Sequence, residues 1–255
     1  MPQINRIRVN NVKYNFGTQY YDDFMMRFHC RNTIYDLANG GGKSLLMLLL
    51  LQNVIPNCTL DEKQPVEKLF RPGGGNTVIH SLIEWKLDAT NNDGYKYMTT
   101  GFCARKAKDT EADGTEADGI SGRFSAAEEA PAGRDNASVE YFNYCIFYRE
   151  FGENDIKNLP LTKNGERITY NGLKQYLREL EHNDFHVSVK IFDRKGQYQS
   201  FISKYGLYES EWEIIRGINK TEGHVRTYCE TNYKTSRKVA EDLLIEEFIQ
   251  KAFHN

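Results

Sequence analysis

The chain has 255 residues, 40% hydrophobic and 13% aromatic, with 33 Lys and Arg against 35 Asp and Glu for a formal net charge of −2. That is ample apolar material for one large α/β domain or two small ones, and the near-balanced charge gives no global reason to expect nucleic-acid or membrane binding. Five scattered cysteines without a Cys-x-x-Cys pair fit reduced thiols in a cytoplasmic protein better than a disulfide framework or a zinc site. The N-terminus lacks the apolar core of a signal peptide, and the longest apolar run, Leu45 to Leu51, is far too short to cross a bilayer.

Ile4, Ile7, Val9 and Val12 recur through a polar stretch that places Arg6, Arg8 and Asn10 between them, which predicts an amphipathic strand. A second strand region is expected over residues 20–30, and a short strand over residues 33–37. A helix follows, ending near residues 53–56. Residues 71–76, rich in Gly and Pro, read as a loop. Residues 77–87 alternate well, and residues 95–103 look like their hairpin partner across Asn91-Asn92-Asp93-Gly94.

Residues 110–119 repeat Thr-Glu-Ala-Asp-Gly in tandem and lead into an Ala-, Gly- and Glu-rich stretch. This composition predicts a flexible insertion over residues 106–136; the spaced ligands of a calcium loop are missing. An aromatic strand is expected over residues 139–151, a hairpin around Asn164-Gly165, a helix over 173–180 and an alternating strand over 187–192. The remainder reads as helical over 198–205, 209–215 and 236–253. The expected class is α/β, with a mixed, largely antiparallel sheet packed near the helix that begins after Lys43.

The run Leu37-Ala38-Asn39-Gly40-Gly41-Gly42-Lys43-Ser44, followed at once by Leu45-Leu46-Met47-Leu48, carries the chemistry. Three glycines let the backbone curl and present N–H groups to phosphate oxygens, and the helix adds its positive N-terminal end at Leu45. Lys43 is placed to reach terminal phosphates and the Ser44 hydroxyl to hold Mg2+. Leu37 stands where the general pattern has its first glycine. A complete phosphate-loop enzyme also needs an acidic residue closing a buried apolar strand. Asp193 and Asp88 each close strands that read as two-faced, while Glu246 and Glu247 fall on the polar face of a helix. The phosphate cradle is legible; the catalytic carboxylate is not.

The opening Ile4-Asn5-Arg6-Ile7-Arg8-Val9-Asn10-Asn11-Val12-Lys13-Tyr14 resembles the first strand of SMC-type ATPase heads, and Asn39-Gly40-Gly41-Gly42-Lys43-Ser44 is similar to their Asn-Gly-x-Gly-Lys-Ser loop. The resemblance is nearest to divergent bacterial MukB-like and Wadjet-type proteins. Its specific motifs lie in the first fifty or so residues. It implies an ABC/SMC head-like phosphate-loop NTPase lobe with flanking helices spanning residues 1–255. In that lobe Asn39, Gly40, Gly42, Lys43 and Ser44 hold ATP and Mg2+, with Gly41 and Leu45 in the same cradle and Lys13 near the nucleotide. An ordinary strand-end role for Lys13 stands equally. The resemblance further implies that the catalytic carboxylates and the ABC signature come from a C-terminal half of the head. A second head would close the site, the full-length assembly would act on DNA in chromosome segregation or plasmid and phage defence, and kleisin-like subunits would have a place. The isolated chain is then expected to bind ATP with little or no turnover. Two other readings remain open: a self-contained kinase or GTPase using Asp193 or Asp88, and a non-catalytic interaction module with a vestigial loop.

Overall fold

A computed structural model describes residues 2–14, 18–37, 42–60, 65–71, 77–88, 94–107, 139–163, 165–220, 224–233 and 235–238, together with positions 241, 245 and 249. Of the insertion expected over 106–136, Lys106 instead ends a strand paired with Val139, and everything past 107 lies outside these residues, as does most of the expected helix over 236–253. So do Asn39, Gly40, Gly41, Glu246 and Glu247.

Among the described residues there are eight strands: β1 (Gln3–Tyr14), β2 (Gln19–Arg27), β3 (Ile79–Lys86), β4 (Tyr97–Lys106), β5 (Val139–Tyr148), β6 (Thr162–Lys163), β7 (Glu166–Arg167) and β8 (Val187–Phe192). Six form one sheet in the order β2-β1-β3-β4-β5-β8, antiparallel at every pairing, so no parallel pair occurs among the described residues. The helices are α1 (Lys43–Leu51), α2 (Tyr170–Asn183), α3 (Lys195–Ser203), α4 (Glu209–Lys220), α5 (Val225–Asn232) and the short α6 (Ser236–Lys238). The architecture is α/β: an antiparallel sheet with helices against both faces. Among the described residues no helix is long and apolar enough to cross a membrane, and all five cysteines are free.

The uneven spacing of Ile4, Ile7, Val9 and Val12 has a physical cause. The β1–β3 register shifts between Ile4 and Arg6, and Asn11 takes a φ of 61°, a left-handed conformation that Asn tolerates better than most residues. Its amide is held by donating to the Val78 carbonyl at 2.7 Å. These two irregularities let Ile7, Val9 and Val12 join one core cluster, with Ile4 packed at its edge. That cluster takes in α1, α3 and α4, including an edge-to-face contact of Trp85 with Trp212 at 5.9 Å. A second cluster fills the other face beneath α2, whose Leu173, Leu177 and Leu180 recur at helical spacing. Thr169 starts α2 by accepting the Gly172 amide at 3.0 Å.

Burial on both faces corrects the reading of β1 and β3 as half-exposed. Arg6 and Arg8 are buried, and β3 is buried from Ile79 to Trp85, Glu84 included. The segment 149–161 covers that face and supplies partners. Arg8 donates to the Ile156 and Leu159 carbonyls, both at 2.9 Å, and pairs with Asp23. Between the strands, the Tyr144 ring lies directly across Gly101, where a β-carbon would come within 2.1 Å of Tyr144 Cζ. Only glycine allows that ring into the second cluster.

The expected strand over residues 33–37 is absent. These residues are irregular, with Ile34 97% and Tyr35 46% exposed. Strand formation needs a neighbour to satisfy its N–H and C=O groups, and no described strand lies beside this segment.

Candidate functional site

The sequence-predicted site is built at the N-terminus of α1. Leu45, Leu46, Leu48, Leu49 and Leu51 are buried, which clamps the helix into the first core cluster and fixes where its first turn points. Lys43 and Ser44 precede this apolar anchor and are exposed. Gly42 occupies the N-cap in the left-handed region, φ 79° and ψ 22°, and its carbonyl accepts the first helical bond from the Leu46 amide at 2.8 Å. Gly42 has no side chain with which to cap this end, and the first turn holds no acidic residue. Its leading N–H groups therefore carry the positive helix end without an internal anion to neutralise it.

Two tyrosines brace Gly42. Tyr14, at the end of β1, and Tyr21, near the start of β2, stack with ring centroids 4.3 Å apart and an interplanar angle of 15°. A β-carbon on Gly42 would sit 3.0 Å from Tyr21 Oη and 3.2 Å from Tyr14 Cδ2. Burial, then the neighbouring Tyr14, pushes the Tyr21 phenol above its ordinary pKa, so it stays neutral. This pair escaped sequence reasoning because its members meet only across the β1–β2 hairpin. Their signal was an aromatic at each root of that hairpin, Tyr14 and Tyr20-Tyr21. Lys13 pairs with Tyr20 and alternates with Tyr14. It therefore starts on the opposite face of the strand and is not part of the Gly42–Tyr14–Tyr21 cluster.

Of the predicted nucleotide set, Gly42, Lys43, Ser44 and Leu45 thus lie in one helical turn, Lys13 lies on β1, and Asn39, Gly40 and Gly41 lie outside the described residues. Gln52 ends α1 and is fully buried. Its amide donates to the Cys58 and Leu48 carbonyls, and its side-chain oxygen accepts the Asn57 amide, a structural role.

The carboxylates weighed as metal ligands lie elsewhere. Asp193 follows β8, at the opposite sheet edge from β2, and forms an ion pair with Lys174. Asp88 lies beyond the end of β3 that pairs with Gln3 at the start of β1, whereas Tyr14 and Gly42 mark the other end. The twelve residues of β1, rising about 3.3 Å per residue, separate those ends. Among the described residues no group of three His, Cys, Asp or Glu could hold a metal.

A second concentration of charge surrounds Glu84. It accepts from Asn5 at 2.6 Å, from Arg6 through two bonds at 2.7 and 2.6 Å, and from the Tyr148 hydroxyl. Asp155 also accepts from Arg6, at 3.2 Å. Burial alone would lower the Arg6 pKa, but Glu84 and Asp155 outweigh it and hold the guanidinium firmly charged. Burial, reinforced by Glu84, pushes the Tyr148 phenol well up. Both Glu84 oxygens are occupied, so this network fastens the 149–161 segment to the sheet and leaves no lone pair for proton abstraction. Comparison with protein-family models, curated proteins and solved structures gives no significant match to this chain.

Proposed function

We propose that this chain is the ATP-binding N-terminal portion of an SMC-like ATPase head, working with a C-terminal half of the same head and a second head to act on DNA. The observation that carries the reading is the start of α1, with a glycine N-cap and no acidic residue in its first turn, formed by Gly42, Lys43 and Ser44 and anchored by Leu45. That arrangement suits a polyphosphate. The N–H groups and helix end meet the oxygens, Lys43 neutralises terminal charge, and the Ser44 hydroxyl is a hard ligand fit for Mg2+. Mg2+, when bound with ATP, supplies further charge neutralisation at the phosphates.

Two features support a site completed from elsewhere. Neither Asp193 nor Asp88, the carboxylates the sequence offers, lies at the start of α1 to orient an attacking water. In addition, the strand-like segment 33–37, with Ile34 and Tyr35 exposed, leads toward the loop without a neighbour to pair with. The positions of Asp193 and Asp88 weigh against a self-contained kinase or GTPase. The irregular 33–37 segment also favours a second reading, an interaction module with a vestigial loop. Turnover assays separate these readings. The chain alone is expected to hydrolyse ATP negligibly, and addition of the matching C-terminal half is expected to raise turnover in wild type but not in Lys43→Ala. Robust, Lys43-dependent turnover by the isolated chain would instead establish a self-contained enzyme.

A further inference from the structure

At the sheet end remote from Gly42, a cleft of about 640 Å³ opens between the 149–155 segment and the turn that enters β8. Tyr95 and Tyr148 line it, and two aromatic tips flank it: Phe185, 95% exposed, and Phe151, 54% exposed. Phe151 is held in place despite its exposure. Its ring lies 4.8 Å from that of Tyr97, and the Arg6 guanidinium sits 4.3 Å from its centroid, itself fixed by Glu84 and Asp155. The Phe151 side of the cleft is therefore prepared in advance at little ordering cost.

The charge of the lining is lopsided. Glu150, Glu153, Asp155 and Asp184 face the cleft against Arg149 and His186. Asp155 is already engaged by Arg6 and by the Lys157 and Asn158 amides, and Arg149 donates to the Gly94 carbonyl. Glu153 and Asp184 both line the cleft, with Glu153 exposed and Asp184 also accepting the His186 amide at 2.9 Å. The result is aromatic surface beside clustered negative charge, suited to a cation on an apolar stem and repellent to phosphate. The cleft also opens at Val187, the first residue of edge strand β8, where an extended chain can run on along the sheet.

We propose that this cleft is a docking site for an extended protein segment that carries Lys or Arg beside an apolar side chain. The cation settles against Glu153 and Asp184, and the apolar group against Phe151 and Phe185. The site is independent of nucleotide binding at α1.

The test is fluorescence anisotropy of the full chain with a fluorescein-labelled Leu-Lys-Leu-Lys-Leu peptide, a Leu-Glu-Leu-Glu-Leu counterpart and a labelled single-stranded oligonucleotide. Saturable binding of the lysine peptide alone is expected, weakening as salt rises. Phe185→Ser should weaken it about tenfold, the usual scale for losing an aromatic anchor, and Glu153→Gln should weaken it severalfold. Both positions are exposed, so folding is unaffected, and Glu166→Gln on β7 serves as a remote acidic control without effect. Absence of saturable binding, equal binding of the glutamate peptide, capture of the oligonucleotide through the same residues, or indifference to both cleft variants would each overturn the proposal.

Discussion

Tyr21 stands so close to Gly42 that a β-carbon on the glycine would meet its hydroxyl oxygen at 3.0 Å, while the glycine φ of 79° already lies where L side chains are strained. The loop's last residue before Lys43 is thus fixed by conformation and by space together. Gly42→Ala should cost about 1–2 kcal/mol for the left-handed backbone alone, and more as the Tyr14–Tyr21 stack yields. Urea unfolding measures the stability loss. A smaller loss from Gly42→Ala in a Tyr21→Phe background, which removes the hydroxyl but keeps the buried ring, would confirm that the tyrosine is the obstacle.

The Arg6–Glu84 pair gives a second expectation. Removing one partner from a buried ion pair leaves the other uncompensated, a loss of about 3–5 kcal/mol. Glu84→Gln should therefore destabilise strongly. Replacing Arg6 and Glu84 together by leucine should cost clearly less than the sum of the single losses, as residues in one network do. Additive losses in a double-mutant cycle would show that the two do not act as a unit.

His80 gives the chain a pH dependence. It is 1% exposed, and among the described residues its Nδ1 has no hydrogen-bond partner. Burial, then the Arg8 charge, pushes the imidazole down to about 3, against a small opposing effect of Asp23. The unfolded chain, with an ordinary histidine near 6.5, binds the extra proton between those values. Stability is therefore fully present above about pH 6.5 and falls on acidification through that window, by about 1.4 kcal/mol per pH unit. Between pH 7 and 5, urea unfolding of wild type should lose about 2 kcal/mol more than that of His80→Phe. Parallel curves would contradict the assignment.

Most of the sheet was legible because its strands carry local alternation. Ile79–Lys86, Tyr97–Lys106 and Val187–Phe192 fall where the sequence places strands. What escaped was non-local. Arg6 and Arg8 read as a solvent face, yet Arg6 finds partners 78 and 149 positions away, a pairing no local pattern encodes. Residues 33–37 have strand-like composition, but composition cannot supply the neighbour a strand requires. In the candidate site the Gly-Gly-Gly-Lys-Ser run was readable as chemistry, whereas its tyrosine brace depends on a hairpin crossing and became visible only in three dimensions.

Titration calorimetry of the chain with ATP, in the presence and absence of Mg2+, tests the central claim most directly. Wild type is predicted to bind ATP saturably. Lys43→Ala should weaken that binding about tenfold or more through loss of charge-assisted phosphate contacts, and Ser44→Ala should weaken it chiefly when Mg2+ is present. No binding by wild type, or equal affinity in wild type and Lys43→Ala, would contradict the account.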